Sequence, residues 1–223
     1  MNTYEANGIT LEQVREYVWE LPQEGDMNVP ARILASEALL DETLRFWRDW
    51  FRVFLEEVGD VVDVIMIGDD LAGQTGPLFS PDFYRAVVKP RQKKLVQFIR
   101  AGTDAKIWYH TCGNCIEYID DLLDNGVDIL NPVQISAAGM DPAMLKERFG
   151  RKVVFWGGSI DAQHVLPSAS PDRVREDVRR HLEIFKPGGG YVFNNCHNIQ
   201  VGVPPENIVA LYDAALAYGR YGD

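Results

Sequence analysis

Short apolar runs alternate with longer amphipathic stretches along most of this 223-residue chain, and that alternation constrains the fold more than any other feature. Runs at 61–67, 106–109, 127–130, 153–156 and 191–193 are rich in Val, Ile and aromatics. Gly, Asp, Asn or Pro bounds each one, the pattern of buried parallel strands. Helical periods lie between and around them, at 31–58, 81–100, 115–125, 142–149, 171–185 and 205–218, with a further one at 11–20. Ser80-Pro81, Asp141-Pro142 and Ser170-Pro171 each put a capping side chain before a proline at the first helical position. A β-α-β-α order with connections of this length means a parallel sheet and right-handed crossovers, so the fold class is α/β. Five strand–helix units follow residue 60, whereas a closed (β/α)8 barrel has eight and about 250 residues. Two architectures fit: an open doubly wound sheet, or a barrel whose first strands are not in this chain. The organisation expected is an N-terminal helical segment, 1–60, and a β/α region, 61–223. Five strands cannot close a barrel of eight, so an unpaired strand edge is expected, and with it self-association into a homo-oligomer, instability, or an N-terminal segment packed across the gap.

Composition excludes several classes of function. The 22 Lys and Arg against 33 Asp and Glu give a formal charge of −11, the wrong sign for tracking nucleic-acid phosphates. No apolar run approaches the roughly 18 residues of a membrane span, and the first ten residues lack the pattern of a secretory signal. Three cysteines, two of them at positions 112 and 115, do not make a disulfide framework. A cytoplasmic protein whose cysteines do chemistry or bind metal is expected.

Sites in parallel α/β folds gather at the C-terminal ends of strands, and here those ends are polar. Gly68-Asp69-Asp70 follows the first run and His110-Thr111-Cys112-Gly113-Asn114-Cys115 the second. Asn131-Pro132-Val133-Gln134 follows the third, and Gly157-Gly158-Ser159-Ile160-Asp161 the fourth, with Gln163 and His164 close behind. The fifth is followed by Asn194-Asn195-Cys196-His197. Asp69, Asp70 and Asp161 are the candidate acid–base groups. Tyr109, Asn131, Gln134, Gln163, His164 and Asn194 are the candidate substrate contacts.

His110 and Cys112 stand at i and i+2, so an extended backbone brings imidazole and thiolate to one point. A third ligand from Cys196 or His197 would complete a three-ligand zinc site with an open fourth position, the arrangement of catalytic zinc. Continuing the last strand through residue 196 puts Val192, Asn194 and Cys196 on the inward face and His197 on the other. Cys196 is then favoured, unless a bulge after Asn194 flips the facing. The rival reading of Cys112 and Cys115 is a C-x-x-C redox pair, whose helix N-terminus would lower a thiol pKa. Gly188-Gly189-Gly190 precedes its strand and reads as turn chemistry, and Gly157-Gly158-Ser159 is a weak phosphate signal.

The stretches GDDLAGQTGPLFSPDFYRAVVKPRQKKLV, YHTCGN, GVDILNPVQISAAGMDP, FWGGSID and GGGYVFNNCHNIQVGVPPENI resemble the uroporphyrinogen decarboxylase superfamily. Within it they look most like the branch of zinc- and corrinoid-linked methyltransferases. The resemblance implies a (β/α)8 TIM-barrel fold, here incomplete, with about five C-terminal β/α units. It implies zinc on His110, Cys112 and Cys196, with His197 as the alternative to Cys196. It also implies a methyl group passing between the heteroatom of a small-molecule donor or acceptor (thiol, alcohol or ether) and the cobalt of a partner corrinoid protein. Decarboxylases of the same superfamily use no metal and hold a polycarboxylate tetrapyrrole with N-terminal arginines and an aspartate, for which this chain has no matching segment. A metal-free decarboxylase-like enzyme and a truncated, non-catalytic binding protein are the alternatives.

Overall fold

The apolar residues of the first helix recur at three and four, and such a stripe must be buried against another element. In a computed structural model, which describes residues 37–221, this helix is α1, Glu37–Val58. It lies against α2, Lys89–Arg100, with Phe51 buried and Phe54 and Leu55 half-buried. Arg48 sits 5.0 Å from the Phe98 ring centroid across that contact. The expected helix at 11–20 and the start of the one at 31–58 lie outside the described residues.

The five expected strands are present as β1 (Val64–Gly68), β2 (Lys106–His110), β3 (Ile129–Asn131), β4 (Val154–Trp156) and β5 (Tyr191–Val192). They form one parallel sheet in the order β1-β2-β3-β4-β5. The remaining helices of seven residues or more are α3 (Ile119–Asn125), α4 (Pro142–Phe149), α5 (Pro171–Phe185) and α6 (Pro205–Tyr218). The fold is α/β, with consecutive β/α units laid side by side as a barrel lays them. β1 and β5 are its two edges, and Met66 on β1 is 66 % exposed. No helix among the described residues is long and apolar enough to cross a membrane.

Register sorts the side chains into two faces. Ile67, Tyr109, Leu130, Phe155 and Tyr191 are paired across the sheet and face one way. They join Val96, Ile99, Leu122, Leu145, Phe149, Val178, Leu182 and Phe185 of the helices in one core. Each such buried side chain contributes about 1.5–3 kcal/mol. The opposite face carries Met66, Trp108 and Ile129 and ends in Gly68, His110 and Asn131. Glycine is required at position 68, since a Cβ there would come within 2.5 Å of the His110 carbonyl oxygen.

The three anticipated helix caps form: Ser80 Oγ accepts from Phe83 N, Asp141 Oδ1 from Met144 N and Ser170 Oγ from Arg173 N. The helical stretch 81–100 is not uniform. Pro90 has no N–H to give the turn before it, and Tyr84–Val88 winds as a π-helical turn in which Lys89 N donates to Tyr84 O. The stretch 115–125 likewise opens as a 3-10 turn, Ile116–Tyr118, before α3.

Asp177 and His181 of α5 are 1 % and 3 % exposed, and anchor the loop after β4: Asp177 Oδ2 accepts from Asp161 N at 3.3 Å and lies 3.4 Å from His181 Nδ1. Burial holds the His181 pKa below the usual imidazole value, with Arg180 adding to the effect and Asp177 and Asp161 opposing it. A depressed histidine pKa means that the unfolded chain takes the proton first. Stability from His181 is therefore complete above about pH 6.5 and falls as pH drops through that value. Urea unfolding between pH 7.5 and 5 is expected to show this loss, and His181→Gln should have a flatter profile. Identical slopes in the two proteins would refute the assignment.

Candidate functional site

The polar ends of β1, β2 and β3 stand next to one another because their strands do. His110 ends β2 on the face opposite the core, paired in register with Asn131 at the end of β3. Its Nδ1 lies 2.7 Å from Asn131 Oδ1, and Asn131 Nδ2 donates to the Trp156 carbonyl of β4 at 2.9 Å. The other ring nitrogen, Nε2, is 3.5 Å from Cys112 Sγ.

The turn carrying Cys112 is held from four sides. Cys112 N donates to Asp70 Oδ1 at 3.1 Å, Gly113 N to Gln134 Oε1 at 2.8 Å, and Thr111 N to Asn131 O at 2.8 Å. Leu71 N donates to Thr111 Oγ1 at 3.1 Å. Gln134 in turn donates through Nε2 to Gln74 Oε1 at 2.9 Å. Gly113 has φ +78°, and a Cβ on it would meet the carbonyls of Ala72 and Gly73 at 2.5 Å, so only glycine fits here.

His197 brings a third donor. The ligand atoms of His110, Cys112 and His197 all lie within 4.8 Å of one another, and the two imidazole centroids are 6.2 Å apart. Donors around tetrahedral zinc are about 3.3–3.8 Å apart at the usual bond lengths, a difference that side-chain rotation covers. Cys196 is not in this group. Extended backbone through residue 196, the condition for its inward facing, is not met, because β5 ends at Val192. Cys196 is buried, and burial, with Cys112 and Asp161 adding to it, pushes its thiol up to about 12.

The C-x-x-C pair lacks the depressed thiol that redox exchange needs. Burial and then the Asp70 charge raise the Cys112 pKa, and burial pushes Cys115 up to about 12.

Asp69 and Tyr109 belong to a second cluster, on the helix side of the sheet. Gln92 Nε2 donates to Asp69 Oδ2 at 2.9 Å and to Tyr109 Oη at 2.7 Å, and Tyr84 Oη donates to Gln92 Oε1 at 2.8 Å. Surrounding protein raises the Asp69 pKa, although the bonds from Gln92 and Tyr109 oppose the rise. Asp69 and Asp70 share the wall of a cavity of about 670 Å³ with His110, Met66, Trp47 and Arg91. Gln92 and Tyr84 were not anticipated, because they come from helical turns and not from strand ends.

Asp161 closes its own loop. Its Oδ1 accepts from Gln163 N and His164 N, both at 2.9 Å, and its Oδ2 is 3.0 Å from His164 Nδ1. Burial works to raise this carboxyl, and the bonds from His164 and Gln163 more than offset it, holding it below the usual value. Gln163 and His164 line a separate cavity of about 640 Å³ with Gln74, Ser136 and Gln200. Asn194 contributes its carbonyl, which accepts from Ser159 Oγ at 2.6 Å. The loops at these five strand ends, 69–80, 111–118, 132–141, 157–170 and 193–204, hold none of the chain's 22 Lys and Arg.

In the metal-free protein at pH 8, iodoacetamide is expected to label Cys112, which is half-exposed, at least ten times faster than Cys115 or Cys196. Peptide mass mapping reads this directly, and equal labelling of Cys196 would contradict its burial.

The sequence family model for uroporphyrinogen decarboxylase (URO-D) matches residues 22–218. The uroporphyrinogen decarboxylase of Psychromonas ingrahamii is 34 % identical over 98 residues, covering 44 % of this chain and 26 % of that protein. That of Thioalkalivibrio sulfidiphilus is 49 % identical over 68 residues, covering 30 % and 18 %. The solved structure of a methyltransferase from Methanosarcina mazei superposes with a TM-score of 0.62 at 23 % identity, over 82 % of this chain and 50 % of that one. The chain thus matches about a quarter of the length of the first of these curated relatives and half of the solved neighbour. With a match across nearly all of the β/α region, this chain belongs to the uroporphyrinogen decarboxylase family.

Proposed function

We propose that the chain is the site-bearing part of a zinc-dependent methyltransferase or demethylase. It would move a methyl group between a small-molecule heteroatom, of a thiol, alcohol or ether, and a partner corrinoid protein. The observation that carries this reading is the convergence of His110, Cys112 and His197 at the open end of the sheet. Two imidazoles and one thiolate are a borderline-soft donor set that suits zinc and leaves a fourth position for substrate. Bound there, zinc would lower the pKa of a ligating thiol or alcohol, or polarise an ether oxygen.

The chain's own residues supply the rest. His110, Cys112 and His197 hold the metal, and Asn131 and Asp70 fix the first two of them. Asp70 uses Oδ1 for the Cys112 amide, which leaves Oδ2 to take the proton that a thiol or alcohol releases. Asp69, whose pKa burial raises, faces substrate from the cavity wall and is the second candidate to exchange a proton with it. Gln74, Gln163, His164 and Gln200 offer polar contacts from the separate cavity they line.

Decarboxylation of a tetrapyrrole is the second reading, and the names of the curated relatives favour it. A polycarboxylate needs fixed cations to replace its water, and the five strand-end loops have no Lys or Arg. With the nearby cavity's Arg91 engaged by Asp41, the lack of cations in these loops supports the methyl-transfer reading for the residues in this chain.

Protein purified under reducing conditions without chelator should carry one equivalent of zinc by elemental analysis. His110→Ala, Cys112→Ala and His197→Ala should lose most of it, and Cys196→Ala should keep it. Retention in His197→Ala with loss in Cys196→Ala would transfer the third position to Cys196, and no zinc in the parent would sink the reading. Asp70→Asn should lower methyl transfer about 100-fold with zinc content unchanged, the usual scale for losing a general base.

A further inference from the structure

Asn131 is 3 % exposed, and both ends of its side-chain amide are committed. One end faces the Trp156 carbonyl, which has no proton to give, so the NH2 group must point there. The carbonyl end therefore faces His110 Nδ1 at 2.7 Å. An acceptor opposite Nδ1 requires a proton on Nδ1. A neutral imidazole carries one N–H, so Nε2 is left with the lone pair, and Nε2 is the atom turned toward Cys112 Sγ at 3.5 Å. The orientation of the amide thus decides which histidine nitrogen can bind a metal.

We propose that Asn131 is the positioning residue of this site: anchored by the Trp156 carbonyl, it holds His110 in the Nδ1–H tautomer with the Nε2 lone pair aimed at Cys112 and His197. The device spans three adjacent strands, with His110 from β2, Asn131 from β3 and Trp156 from β4, and the register between β2 and β3 sets it. A carboxamide serves this purpose better than a carboxylate. It donates to the Trp156 carbonyl while accepting from His110, and it buries no charge in a region whose loops contain no cation. The use of the tautomer rests on the zinc reading above; the tautomer itself does not.

The test is made first on metal-free protein at neutral pH. A long-range 1H–15N spectrum of histidine-labelled chain, with His110 assigned by its loss in His110→Gln, reports which nitrogen is protonated. The parent is expected to show Nδ1–H. Asn131→Ala should shift His110 toward Nε2–H, and Asn131→Asp, which keeps an acceptor but loses the donor to Trp156, should restore Nδ1–H. Competition against a chromophoric zinc chelator should then show affinity down 10–100-fold in Asn131→Ala and largely recovered in Asn131→Asp. Nε2–H in the parent overturns the proposal without any variant needing to fold. An unchanged tautomer in folded Asn131→Ala also overturns it, even if zinc affinity drops, because the role would then be packing alone. Failure of the parent to bind zinc, with the tautomer results as expected, would instead refute the zinc reading and leave the relay standing.

Discussion

The parallel pairing of β2 with β3 is the constraint on which the site depends. Trp108, Tyr109 and His110 lie opposite Ile129, Leu130 and Asn131, and the two-residue period of a strand does the rest. Tyr109 and Leu130 go into the core. His110 and Asn131 end up side by side on the other face. A slip of one residue on either strand would bury the histidine under the helices and leave the asparagine without its partner. The hydrophobic core therefore positions the polar site, because the apolar alternation fixes the register and the register fixes the hydrogen bond.

Electrostatics around the site point in one direction. Burial raises the pKa of the cysteines and of Asp69, and no lysine or arginine lies in the strand-end loops to bring them down. In each case burial disfavours the charged form. A divalent ion among His110, Cys112 and His197 would reverse that preference for Cys112, since a coordinating thiol loses its proton. The arginine on the neighbouring cavity wall, Arg91, is engaged by Asp41.

Much of the fold was legible because buried parallel strands are continuous apolar runs and because three helices announce themselves with a cap and a proline. The ends of the strands were less legible. Val61 to Asp63 read as strand, but β1 begins at Val64, where Lys106 supplies a partner. Phe193 read as strand, but β5 ends one residue earlier. That small difference bears on which of Cys196 and His197 lies nearer His110 and Cys112, because facing cannot be carried by alternation into a loop. The Asp69–Gln92–Tyr109 cluster was half legible: the strand-end Asp69 and Tyr109 were candidates, while Gln92 and Tyr84 come from helical turns whose aim depends on packing. Of the candidate residues, His110, Cys112, Asn131, Gln134 and Asp70 come together around one turn. Asp69 and Tyr109 form a neighbouring cluster, and Asp161 with His164 shapes a loop.

Zinc K-edge X-ray absorption on the loaded protein tests the central claim most directly, because it counts donors by type without any substitution. Coordination by His110, Cys112 and His197 predicts one sulfur at about 2.3 Å and two imidazole nitrogens at about 2.0 Å, with a light atom in the fourth position. A fit demanding two sulfurs and one imidazole would contradict it and place Cys196 on the metal.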